Sequence, residues 1–191
     1  KVKVLDSRPD VALVCSDGYA FDNQTGRTLG RFWHTKTFPD PINLRRALQQ
    51  PLKWTLSRGC FTGLQMTVVR RVVFDQIGYF DESLLRGEDW DMFIRVFLLR
   101  LPIETIDMPL VRQRKHGANL TSVANWDKLD LEMLSAFYNK VSRTYSLSNE
   151  DLKLARRKFA RTLFRVGRLL VVTGRTALGR ERLLDLSLIH I

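Results

Sequence analysis

A chain of 191 residues that is 45% hydrophobic, 27% charged and holds only 11 Gly and 6 Pro is excluded from the collagen-like, low-complexity and disordered classes. Its net charge of +11 admits a nucleic acid, an anionic membrane surface or an anionic small substrate as partner. Two cysteines, Cys15 and Cys60, give neither a disulfide framework nor a metal-ligand spacing, and no apolar run reaches the roughly 18–20 residues of a membrane span. The basic excess is uneven: residues 151–191 carry ten basic and three acidic side chains, residues 1–150 carry 21 and 17.

The chain starts at Lys1 without a Met, and Val2 to Leu5 lead into Asp6-Ser-Arg-Pro9 and a strand. Val11-Ala-Leu-Val-Cys-Ser16, bounded by Asp10 and Asp17-Gly18, reads as that strand, buried on both faces. Asp22-Asn-Gln-Thr-Gly26 is a turn signal between two short antiparallel strands. Asp40 and Pro41 open a short helix that runs to Gln50 and stops before Pro51. Cys60 to Val69 reads as a strand, and Arg70 to Ile77 as a two-turn helix capped by Gly78. Over residues 88–100, Trp90, Phe93, Ile94, Phe97 and Leu98 recur at helical spacing, and Pro102 closes the helix.

Ile103–Ile106 and Leu110–Arg114 read as short strands, and residues 126–141 as an amphipathic helix. Ser148-Asn-Glu-Asp151 has the form of a capping box and starts a basic helix over 149–172, with a further helix over 176–185. The fold class is α/β with a helical extension. Leu186-Ser-Leu-Ile-His-Ile191 matches the translation of a sequencing-library adapter (CTG TCT CTT ATA CAC ATC), so it is expected to be foreign to the natural protein.

Chemistry concentrates in Gly87-Glu-Asp-Trp-Asp91 with Arg95. Glu88, Asp89 and Asp91 crowd a helix start, where unpaired N–H groups and the helix dipole favour ionised carboxylates. A carboxylate held there suits a general base, and Arg95 is near enough to orient one of the acids. Simple charge capping of the helix explains the same spacing.

Gly59-Cys-Phe-Thr-Gly63, Val69-Arg-Arg-Val-Val-Phe74, Ile77-Gly-Tyr-Phe-Asp-Glu82 and Glu88-Asp-Trp-Asp91 with Arg95, in this order, resemble family 2 glycosyltransferases of the GT-A fold. His116 with Asn119 and Ser122, after Pro109-Leu-Val-Arg-Gln-Arg114, is similar to the segment that closes that domain. The resemblance covers residues 1–122 and implies inverting transfer from a nucleotide-diphosphate sugar to a saccharide or lipid-linked acceptor. Asp89 would then be the base, Glu88 would act beside it, and Asp91 and Arg95 would support them.

In such enzymes an Asp-x-Asp holds a divalent metal, Mg or Mn, on the diphosphate. Asp89-Trp-Asp91 spells that pattern but stands where the base motif belongs, and Asp17-Gly-Tyr-Ala-Phe-Asp22 lacks the spacing. The metal-binding pair and the nucleotide-binding half are therefore expected upstream of Lys1, and this chain by itself is expected to be inactive.

His116 either completes a metal or diphosphate site or is an ordinary loop histidine. Arg112, Arg114 and Lys115 either attract a diphosphate or line a solvated edge. Trp90 either stacks on an acceptor sugar or joins the core, and Gly63, with Gly59, either lets an acceptor approach or eases packing.

On the 149–172 helix, Arg157, Arg161, Arg165 and Arg168 lie across from an apolar stripe of Leu152, Ala155, Phe159, Leu163, Val166 and Leu170. This is either a solvated face or an attachment to an anionic membrane, which would place a cytoplasmic protein on the inner face of the cell membrane. The rival functions are a non-catalytic basic module binding nucleic acid or membrane through this helix, and an inactive saccharide-binding relative. Few tail aromatics and no recognition motif speak against nucleic acid.

Overall fold

A computed structural model describes residues 1–34, 40–84, 87–117 and 138–185. Asn119, Ser122, most of the helix expected over 126–141 and the six residues 186–191 lie outside the described residues, although 138–144 are helical. The chain divides into two compact units. The first holds Lys1–Thr55, Gly59–Asp81 and the segment that begins at Glu88; the second holds Leu56–Arg58, Glu82–Gly87 and the C-terminal helices.

The first unit is α/β. Its elements are α1 (Val2–Ser7), β1 (Leu13–Asp22), β2 (Thr28–Arg31), α2 (Pro41–Gln49), the start of α3 (Pro51–Arg58), β3 (Thr67–Val69), α4 (Arg71–Ile77), α5 (Glu88–Leu98) and β4 (Ile103–Lys115). β1 is the central strand of a mixed sheet. It pairs in parallel with β4 along its whole length, and antiparallel with β3 at its start and β2 at its end.

Local chemistry explains most boundaries. Asp22 turns the β1–β2 hairpin: its Oδ1 accepts from the N–H groups of Gln24 at 3.0 Å and Thr25 at 2.7 Å, and Gly26 takes φ +69°. Asp40 caps α2 by accepting from Asn43 N at 2.8 Å. Gly78, at φ +76°, ends α4.

Four expectations change. β1 continues past Ser16 to Asp22 because Asp17 is buried within it. The two strands expected at 103–114 are one, since bulges opposite Ser16, Asp17 and Gly18 absorb the extra residues around Pro109. Of the strand expected over 60–69, the ladder with β1 takes Thr67–Val69, after a 3-10 turn at Leu64–Met66. Pro51 opens α3 at its first turn as well as ending α2.

The core lies between the sheet and its helices: Leu13 and Cys15 of β1 meet Leu44 and Ala47 of α2, Val73 of α4, and Met92, Phe93, Val96 and Phe97 of α5, with Trp33 and Phe61.

In the second unit, α6 (Asn149–Val172) packs on α7 (Thr176–Asp185). Ser148 caps α6, accepting from Asp151 N at 3.1 Å while its hydroxyl donates to Asp151 Oδ2 at 2.7 Å. Leu163, Val166 and Leu170 form the buried seam with Phe159 and Leu178. The two helices touch at Gly167 and Gly179, where a Cβ on Gly179 would stand 2.8 Å from the Gly167 carbonyl oxygen. Among the described residues no helix is long and apolar enough to cross a membrane.

Candidate functional site

The sheet positions the candidate residues. A four-residue link joins α5 to β4, and Met92, Phe93, Val96 and Phe97 of α5 pack with Leu13 and Cys15 of β1. β3 runs antiparallel to β1 with Thr67 opposite Cys15, which brings the segment that precedes it, including Gly63, toward the end at which the parallel strands β1 and β4 finish. His116 follows directly on β4, and Lys115 pairs with Asp22, the last residue of β1.

The three acids of α5 occupy different environments. Asp91 is fully buried, and its Oδ2 meets Arg95 Nε at 3.0 Å and Nη2 at 2.9 Å. The same guanidinium donates from Nη1 to the carbonyls of Ile77 at 2.6 Å and Gly78 at 2.9 Å, and from Nη2 to that of Tyr79 at 2.9 Å. The guanidinium thus donates four hydrogen bonds, one from Nε, two from Nη1 and one from Nη2, besides the ion pair at Nη2. Phe74, stacked on Tyr79 at 5.7 Å between centroids, packs the same turn. Asp91 and Arg95 thus tie the end of α4 to α5, so this carboxylate is engaged in holding two elements together.

Asp89 is half-buried, and its Oδ1 accepts from Trp90 N at 2.8 Å. Against the expectation that the helix start favours the ionised form, burial raises its carboxyl above the ordinary aspartate value; the Trp90 N–H opposes that shift, and the neighbouring Glu88 adds to it. A raised but accessible carboxyl is the condition of a general base. Glu88 is also half-buried, at the first residue of the helix. Trp90 is half-buried, whereas Phe93, Ile94 and Phe97 of the expected stripe are fully buried together with Met92 and Val96.

The remaining candidates sit on other segments. Gly63 precedes the 3-10 turn; its carbonyl accepts from Thr67 Oγ1 at 3.0 Å, and a Cβ there would meet Met66 Cε at 2.9 Å. Arg112 and Arg114 are exposed on one face of β4, with Arg112 over the Phe21 ring at 4.8 Å. Lys115, on the other face, lies 5.7 Å from the Phe32 centroid, and burial lowers its pKa. His116 is exposed.

Sequence reasoning passed over a second acid–base cluster. Asp17 is fully buried on β1, accepts from the N–H groups of Gly18 at 2.7 Å and Trp33 at 3.1 Å, and pairs with Arg31 Nε at 2.6 Å. Arg31 Nη2 reaches on to Asp107 Oδ1 at 2.9 Å, in the bulged stretch of β4. The signal was an acid interrupting an apolar run, which resembles a strand end when only local sequence is read. Cys15, whose thiol burial pushes up to about 12, is no nucleophile.

Among the described residues no three His, Cys, Asp or Glu side chains are grouped to hold a metal ion. Asp17 is committed to Arg31, Asp91 to Arg95 and Asp22 to its turn. No protein-family model matches the chain, and no curated protein matches it.

Proposed function

We propose that the first unit is the acceptor side of an inverting, GT-A-type glycosyltransferase in which Asp89 is the general base. The observation that carries this reading is the division of labour on one helix turn: Asp91 is spent on Arg95, while Asp89, two residues before it, is half-buried with a raised pKa.

In the reaction Asp89 takes the proton of an acceptor hydroxyl as that oxygen attacks the anomeric carbon of a nucleotide-diphosphate sugar. The new glycosidic bond forms as the bond to the diphosphate breaks, with inversion, and the nucleoside diphosphate leaves with the electron pair. Glu88, one residue away, keeps the local potential negative and so strengthens Asp89 as a proton acceptor. Gly63 and Trp90 flank the acceptor, and Arg114 and His116, at the end of β4, face the diphosphate side. The described residues do not supply a metal cage, so the reading assigns them the acceptor chemistry and leaves a Mg or Mn site to other residues.

The test is release of nucleoside diphosphate and formation of an inverted glycoside by the protein, screened over nucleotide sugars. Asp89→Asn is expected to lower kcat by about 10²–10⁴-fold with donor binding retained. Turnover that survives this substitution would remove Asp89 from the role.

A further inference from the structure

The basic excess of the chain gathers in its C-terminal helices. From Lys153 to Arg180 there are nine basic side chains and no acidic one. On α6, Leu163, Val166 and Leu170 are buried in the seam with α7, whereas Arg157, Arg161, Arg165 and Arg168 are all exposed. Three large apolar side chains are exposed as well: Phe164 at 53%, Leu169 at 42% and Val172 at 71%. At 100° per residue these seven side chains fall within an arc of about 140°. The outward face of α6 is therefore cationic and apolar at once.

We infer that this face docks on an anionic phospholipid membrane. Four arginines supply attraction to a negatively charged headgroup layer. Phe164, Leu169 and Val172, set among them, supply apolar surface that gains by entering the headgroup–acyl boundary. This combination distinguishes a lipid surface from a nucleic acid, whose phosphates would use the arginines but leave Leu169 and Val172 facing water. The absence of acidic side chains from Lys153 to Arg180 removes local repulsion from the lipid. The docking face belongs to the second unit and does not depend on the chemistry proposed for Asp89.

The experiment is sedimentation of the whole chain with phosphatidylcholine vesicles, with and without phosphatidylglycerol, at low and high salt. Binding is expected with the anionic vesicles alone and is expected to weaken with salt. Each basic side chain at such a surface multiplies affinity about fivefold, so replacing Arg157, Arg161, Arg165 and Arg168 by Gln is expected to lower it by about a hundredfold or more. The triple variant Phe164→Ser, Leu169→Ser, Val172→Ser is expected to bind more weakly than the parent at equal charge. Far-UV circular dichroism checks that each variant keeps its helices. In the otherwise intact chain, Phe164→Trp is expected to shift its fluorescence to the blue on anionic vesicles.

No vesicle binding at low salt, equal binding to neutral vesicles, or no blue shift would overturn the inference. Tighter binding to duplex DNA than to anionic vesicles, indifferent to the apolar triple variant, would assign the face to nucleic acid instead.

Discussion

Arg95 meets Asp91 on one side and three carbonyls of the α4 end on the other, with its side chain 12% exposed. Removing one member of a buried pair leaves an uncompensated charge, a loss of about 3–5 kcal/mol. Arg95→Met strands both Asp91 and the carbonyls of Ile77, Gly78 and Tyr79, so its unfolding free energy, read from urea titration, is expected to fall by about 3–5 kcal/mol.

Asp89 behaves oppositely. Burial first, then Glu88, raises its folded pKa above the ordinary value of 3.8, against the pull of the Trp90 N–H. Between 3.8 and the raised value the folded chain keeps a proton that the unfolded chain has lost, so stability falls as pH rises through that window. Above the window ionised Asp89 opposes folding, and Asn carries no such burden. Asp89→Asn is therefore expected to be at least as stable as the parent at neutral pH and to lose this slope, as read from thermal midpoints across acid to neutral pH.

At the level of elements, β1 controls the first unit because every other strand pairs with it. Its close approach to β4 depends on Gly18: a Cβ there would stand 2.9 Å from the Val111 carbonyl oxygen and 3.3 Å from Met66 Sδ. The carbonyl belongs to the sheet backbone and cannot turn aside. Overpacking of this kind costs about 1–3 kcal/mol, and Gly18→Ala is expected to lower the thermal unfolding midpoint accordingly.

Several elements were legible because their signals are local. Asp22 and Gly26 announce a turn, Gly78 a helix end, and Ser148 with Asp151 a helix start; the structure contains all of these. The sequence of β4 reads as two strands, since Pro109 lacks an N–H and interrupts the pattern; a bulge that admits it depends on the partner strand. Pro51 reads as a stop in the sequence, although proline is equally at home in the first turn of a new helix.

Over the whole molecule, the net charge of +11 divides unequally. In the first unit, basic side chains are drawn into internal work: Arg95 pairs with Asp91, Arg31 with Asp17, and Arg70 donates to the carbonyls of Leu5, Arg8 and Val11. On α6 Arg157, Arg161, Arg165 and Arg168 are exposed. The same overall charge therefore serves cohesion in one unit and presents a surface in the other.

The sequence by itself determined the α/β class, the helices α2, α4, α5 and α6, and the turn where three acids gather, since propensity, capping and periodicity act between neighbours. Tertiary structure decided what each acid does. Asp91 and Asp17 became buried, paired structural charges, and Asp89 stayed half-buried and raised. Desolvation and ion pairing depend on groups brought from distant positions, such as Arg31 for Asp17 and the α4 carbonyls for Arg95, and spacing along the chain carries no record of them.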